Sequence, residues 1–187
     1  MGLRDLPNAL TLLRLLTVPL TMWLMVEGRM TPAFWLFVAA GVTDALDGFL
    51  ARVLDARTQL GRYLDPLADK ALLIGIYLML AVTGHLPWWL VALVMARDGM
   101  ILTGAWFVYT RFGAAAVKPL FISKVNTAAQ ILLAALVLAG LGLGLDLGWL
   151  IPLAFWTVVA TTLASGASYV VLISRRLPPA SDRIDRR

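Results

Sequence analysis

Apolar residues along this chain come in long runs without alternation, and Gly, Pro and charge divide them into six segments. The segments are roughly Asn8–Val26, Pro32–Leu54, Pro66–Thr83, Pro87–Tyr109, Leu120–Leu143 and Leu147–Ser174. Each approaches the ~20 residues that a helix needs to cross ~30 Å of hydrocarbon. Three open on proline in or near the first turn, where the missing N–H does no harm. The segments are too long for strands and lack their period, so the pattern predicts helices and not a barrel. The reading is an all-α polytopic membrane protein: six transmembrane helices over residues 1–174 and a short basic tail over 175–187.

Composition agrees with lipid as the main solvent. The chain is 60% hydrophobic and only 14% charged, with a mean hydropathy of +0.84. A soluble domain is nearer half apolar and a quarter charged. Cysteine is absent, which excludes disulfides and thiolate metal sites. The net charge of +5 would suit a nucleic-acid partner, but its distribution does not. With the N-terminus placed in the cytoplasm, Arg4, Arg14, Arg52, Arg57, Arg62, Lys70, Arg111, Lys118, Lys124 and the five tail arginines share that side. Arg97 lies inside the fourth segment, and only Arg29 falls clearly in an outer loop. That asymmetry is the positive-inside rule, and it predicts both termini in the cytoplasm and no nucleic-acid partner. The first apolar run is too long for a signal peptide and lacks a cleavage site, and no Arg- and Ser-rich transit peptide precedes it. The expected location is therefore a bacterial inner membrane.

The charges that membrane topology does not explain lie in DALDGFLARVLDARTQLGRYLDPLADK, Asp44 to Lys70. Asp44 and Asp47 are three apart and Asp65 and Asp69 four apart, so each pair shares a helix face. The pairs fall on consecutive antiparallel spans and can meet at one depth. Four converging carboxylates repel one another and take up protons unless cations join them. Oxygen-only ligands suit Mg²⁺ or Mn²⁺. Rim pairing with arginine is the alternative for any one of them, and it is the better account of Asp55, beside Arg52 and Arg57. Gly48 and Ala51 leave room beside the carboxylates, and Arg52 offers a fork for phosphate oxygens. Gly75 and Gly104 read as ordinary close helix packing.

At fixed spacing, Asp44, Asp47, Gly48, Ala51, Arg52, Gly61, Asp65 and Asp69 fill all eight positions of one signature. In these residues the chain resembles the CDP-alcohol phosphatidyltransferases. The resemblance implies a six-helix, usually homodimeric membrane enzyme that moves the phosphatidyl group of CDP-diacylglycerol to an alcohol and releases CMP. It implies that Asp44, Asp47, Asp65 and Asp69 hold two divalent ions, that Gly48, Ala51 and Arg52 line the CDP site, and that Asp69 is the base for the attacking hydroxyl. Two metals clamping a pyrophosphate, with a carboxylate near the nucleophile, are sound chemistry for an in-line displacement.

Three further stretches bear on the acceptor. PNALTLLRLLTVP, Pro7 to Pro19, is similar to the first span of family members that make phosphatidylglycerophosphate and cardiolipin. There Asn8 and Thr11 either meet the CDP moiety or serve as cap and interhelical hydrogen bonds. Arg97-Asp98 and KPLFISKVNTAAQ, Lys118 to Gln130, resemble the mitochondrial-type cardiolipin synthase branch. Glycerol-3-phosphate-using relatives favour a second lysine where Asn126 stands. A small dianion needs that extra cation, whereas phosphatidylglycerol has one diester charge and two acyl chains. Arg97, Lys118, Lys124 and Asn126 are the candidate contacts for the acceptor phosphate. For Arg97 the alternative is a structural pair with Asp98, and for the lysines it is topology alone. The expected reaction is CDP-diacylglycerol plus phosphatidylglycerol giving cardiolipin plus CMP, at the cytoplasmic edge. Phosphatidylglycerophosphate synthesis from glycerol 3-phosphate is the nearest alternative. A divalent-cation transporter is the alternative of another class, and it predicts polar residues continuing to the outer side. The last span and tail add nothing to the site in this reading.

Overall fold

The computed structural model describes the backbone of residues 6–53, 59–112 and 120–176, and the side chains of 16–44, 70–104, 110 and 120–172. Among the described residues the chain forms six α-helices and no strand. They are α1 (Leu6–Val26), α2 (Met30–Val53), α3 (Gln59–Val82), α4 (Trp88–Phe112), α5 (Phe121–Leu143) and α6 (Leu150–Arg176). Five follow the apolar segments to within three residues at each end. The third does not. It begins at Gln59 and not at Pro66, so that proline lies inside α3. Its first turns, QLGRYLD, are too polar to read as membrane but contain good helix formers. Pro19 is likewise inside α1, leaving one carbonyl without its usual helical donor.

Helical hairpins join α1 to α2, α3 to α4 and α5 to α6 through short described turns. The first two hairpins turn on Gly28 and Gly84, at φ of 71° and 79°, a conformation that other residues enter only at a cost. In both turns the following N–H reaches back five residues, Arg29 to the Leu24 carbonyl and His85 to that of Leu80, each at 2.8 Å.

Among the described residues, packing runs in a closed ring: α1 on α2, α2 on α5, α5 on α6, α6 on α4, α4 on α3, and α3 back on α1. Contacts of α3 with α5 cross the ring. Thus α1 packs against both helices that carry the aspartates, an order the sequence does not reveal. Gly75 permits the α1–α3 approach, because a methyl there would lie 3.0 Å from Met22 Sδ.

The dry core gathers toward the turn end of the bundle, with Met25, Ala33, Ile76, Leu80, Leu90, Leu133 and Leu138 nearly or fully buried. By length and hydropathy, Phe121–Leu143 and Leu150–Leu172 are long and apolar enough to cross a membrane, while Leu16–Val26 and Lys70–Val82 are shorter apolar helices.

Candidate active site

Helical rise sets the heights of the four aspartates. Counted from the described turns, Asp44 and Asp47 lie 14 and 17 residues after the start of α2 at Met30, and Asp69 and Asp65 lie 13 and 17 residues before the end of α3 at Val82. At about 1.5 Å per residue, Asp47 and Asp65 are each about 25 Å from those turns along their helices, and Asp44 and Asp69 each about 20 Å. The backbone therefore places the two pairs at matching heights. Asp44 is half-buried. The side chains of Asp47, Gly48, Ala51, Arg52, Asp65 and Asp69, like those of Asn8 and Thr11, lie outside the described residues, as does Lys118 altogether. Among the described residues no group of three or more His, Asp or Glu converges. The donor set itself, four carboxylates with no thiolate or imidazole, fits a hard divalent cation.

Next to Asp69, Lys70 starts a described polar network. Its ammonium pairs with Asp98 Oδ2, and Arg97 Nη1 donates to Asp98 Oδ1 at 2.7 Å. One carboxylate thus serves two cations. Arg97 Nε donates to Ser165 Oγ at 3.1 Å, and Nη2 donates to Ser123 Oγ at 2.7 Å and also to Ser165. Arg97 and Asp98 are buried, at 5% and 6% exposure. Gly166 of α6 faces α4 here, where a methyl would make ordinary contacts, 3.4 Å from Met100 Cε and 4.0 Å from Arg97 Cγ. The structural pair with Asp98, the alternative for Arg97, is present, and the guanidinium is largely engaged by protein partners.

A second group sits on the same face of α5. Asn126 is fully buried, and its Oδ1 accepts from Thr161 Oγ1 at 2.8 Å and Thr162 Oγ1 at 2.9 Å. Gln130, one turn on, is also buried, and its carbonyl accepts from Tyr77 Oη at 3.1 Å. Lys124, two residues before Asn126, is exposed. His85 belongs to none of this. It is exposed in the α3–α4 turn, with Nδ1 2.9 Å from Thr83 Oγ1.

The structure corrects the sequence reading in one respect. The sixth helix is not a bystander, since Thr161, Thr162 and Ser165 complete both groups. The polar residues are also layered: on α4, α5 and α6 the buried stripe is polar at the aspartate end and apolar at the turn end. The sequence pattern did not single out Lys70 as a network member, nor Ser123, Gln130 and the α6 hydroxyls. The available signal was the i, i+3, i+7 spacing of Ser123, Asn126 and Gln130.

Comparison with known proteins places this architecture. Residues 4–172 match the family model for CDP-alcohol phosphatidyltransferase. The chain is 36% identical over 181 residues to a cardiolipin synthase (CMP-forming)/mitochondrial hydrolase fusion protein of Schizosaccharomyces pombe, covering 89% of this chain and 30% of that one. It is 37% identical over 150 residues to the cardiolipin synthase (CMP-forming) of Homo sapiens, covering 72% of this chain and 50% of the human protein. The chain thus spans half or less of the length of these two relatives. With the CDP-diacylglycerol–glycerol-3-phosphate 3-phosphatidyltransferase of Bacillus subtilis it shares 32% identity over 185 residues, covering 88% of this chain and 93% of the relative.

Proposed function

The chain belongs to the CDP-alcohol phosphatidyltransferase family, and from that premise we propose that it is a cardiolipin synthase, transferring the phosphatidyl group of CDP-diacylglycerol to phosphatidylglycerol and releasing CMP. The observation that carries the reading is the signature on α2 and α3, with Asp44, Asp47, Asp65 and Asp69 at matching heights on the two helices.

In this reading the six helices are six spans with both termini cytoplasmic. Six exposed tryptophans support it: Trp23, Trp35, Trp88, Trp89, Trp149 and Trp156 all lie within about 9 Å of the turn end, counted along their helices. An aromatic belt of this kind marks a membrane interface. The described turns carry a single basic residue besides His85, namely Arg29, as an outer side should. The apolar outer half also favours an enzyme at one rim over a transporter, which needs a polar path through both halves.

Asp44, Asp47, Asp65 and Asp69 hold two Mg²⁺ or Mn²⁺ ions, which supply charge neutralisation of the pyrophosphate and of the departing CMP. Gly48 and Ala51 keep the wall of the CDP site low, Arg52 binds phosphate oxygens, and Asn8 and Thr11 face the same moiety from α1. Asp69 accepts the proton of the attacking hydroxyl. Lys118, Lys124, Arg97 and Asn126 serve the acceptor phosphate, and the family resemblance extends the proposal to a homodimer. Asn126 supports a lipid acceptor. It is buried against Thr161 and Thr162, so no second lysine stands ready for a dianion.

Phosphatidylglycerophosphate synthesis is the second reading, favoured by the near end-to-end match to the B. subtilis transferase. The common chemistry is tested by following CMP release from CDP-diacylglycerol by purified protein, with and without Mg²⁺ or Mn²⁺. Release should require the metal and fall about 100-fold or more in Asp69→Asn. Metal-independent release that ignores this substitution would overturn the assignment.

A further inference from the structure

One face of α5 is covered at one end and open at the other. Lys124, Ala128, Ile131, Ala135, Leu138 and Gly142 are spaced alternately four and three apart, so they form one stripe along the helix. At the turn end this stripe is pressed against α2. A methyl on Gly142 would lie 2.8 Å from the Met30 carbonyl oxygen, and Thr31 Oγ1 donates to the Gly142 carbonyl. Leu138 is fully buried and Ala135 partly so. Beyond them the cover is gone: Ile131 is 46% exposed, and Ala128 and Lys124 are exposed.

The facing stripe on α2 changes in the same way. Met30, Phe34, Phe37, Gly41 and Asp44 follow the same spacing. Met30, Phe34 and Phe37 pack on the core, whereas Gly41 is exposed and a methyl there would meet no described atom within 4 Å. Counted from the Met30–Gly142 contact, Gly41 and Ile131 are both eleven residues away, and Asp44 and Ala128 both fourteen. The seam between the helices, shut at the turn end, is therefore open from about 17 Å onward, one turn short of Asp44. Its walls there are small or apolar. Lys124 stands about 6 Å past Ala128 along α5, and it has no carboxylate partner among the described residues.

We propose that this seam is the port through which the acceptor lipid reaches the site from the bilayer. An acyl chain lies between Gly41 and Ile131, and the phosphodiester meets Lys124. The proposal rests on the lipid acceptor of the proposed function. In a six-span protein the surroundings at this depth are hydrocarbon, so an apolar opening admits chains and not water. Lys124 offers one cation for one phosphodiester charge, and its long stem carries that charge from apolar surface to headgroup level. The donor's pyrophosphate is matched instead by the two ions of the proposed site. Because the port opens beside Asp44, an acceptor seated in it has its headgroup at the level of the aspartates. Gly41 sets the width of the port, which accounts for a poor helix former in the middle of α2 where no packing requires one.

The test places the full chain in phosphatidylcholine vesicles with a lipid carrying a diazirine on one acyl chain, and locates the adducts by mass spectrometry. Phosphatidylglycerol, phosphatidylcholine and CDP-diacylglycerol probes are used one at a time, and Leu102, 66% exposed on α4, reports ordinary contact with the bilayer. At Gly41–Asp44 and Ala128–Ile131 the phosphatidylglycerol probe should label about fivefold more than the phosphatidylcholine probe, and Lys124→Gln should bring the two within about twofold. Labelling at Leu102 should not distinguish them. Gly41→Leu enters open space with a better helix former, so it should unfold no earlier than wild type. It should nevertheless remove the seam adducts and lower cardiolipin formation about tenfold. Equal labelling of the seam by both probes, seam adducts mainly from CDP-diacylglycerol, no seam adducts at all, or full activity in Gly41→Leu each overturns the proposal. If phosphatidylglycerol labels the seam selectively and no cardiolipin forms, the cardiolipin reading falls separately and the seam stands as a phosphatidylglycerol site.

Discussion

Replacing Asp98 by alanine removes the one carboxylate shared by Lys70 and Arg97. The side chains of Arg97 and Asp98 are 5% and 7% exposed, so the substitution leaves a guanidinium buried without its counter-charge. Breaking such a pair from one side costs about 3–5 kcal/mol. Arg97 keeps Ser123 and Ser165, which argues for the lower end. Lys70 adds little, since its side chain is 33% exposed and such pairs are worth under about 1 kcal/mol. A loss of about 3 kcal/mol in a chain of this size corresponds to a fall of about 6–12 °C in Tm. Thermal unfolding of detergent-purified protein, followed by tryptophan fluorescence, measures it. Removing both partners, in Arg97→Met/Asp98→Leu, should recover most of the loss, because two well-packed apolar side chains replace a desolvated pair. A single variant within about 2 °C of wild type, or a double variant as unstable as the single, would refute the claim that burial makes this network energetically significant.

Burial and close packing set the outcome at two other positions. Asn126→Lys buries an ammonium where Thr161 and Thr162 now bond an amide, and it should destabilise the protein by about 3 kcal/mol or more while lowering lipid-acceptor turnover; a stable variant with improved glycerol 3-phosphate use would contradict the reading of Asn126. Gly75→Leu pushes a side chain into Met22 between α1 and α3 and should cost about 1–3 kcal/mol by overpacking, whereas Gly75→Ala, crowded by the flexible Met22 side chain and in ordinary contact with Val18, should fall well below that in the same unfolding assay.

The six helices were legible because a long apolar run is declared by composition and length, both local properties. The start of α3 was not, since QLGRYLD is helical without being apolar, and hydropathy reports only the second property. The aspartates drew notice because their spacing encodes a shared helix face. Their neighbours were harder to read. Arg97 meets Ser165 across 68 residues, and Asn126 meets Thr161 across 35. Periodicity names the buried face of a helix but not the helix that covers it, so an unremarkable serine in α6 gave no sign of its arginine. For the same reason nothing in the sequence placed α1 against both aspartate helices. Gln130 falls between these cases: its face was readable from Asn126, but its unmade hydrogen bonds appear only once the bundle is assembled.

An acceptor assay tests the cardiolipin synthase reading without intermediaries. Purified protein receives CDP-diacylglycerol and Mg²⁺ or Mn²⁺, with phosphatidylglycerol or glycerol 3-phosphate as the alcohol, and the lipid products are separated. Cardiolipin and stoichiometric CMP are expected from phosphatidylglycerol, and little product from glycerol 3-phosphate. Phosphatidylglycerophosphate formed from glycerol 3-phosphate, with no cardiolipin from phosphatidylglycerol, would contradict that reading.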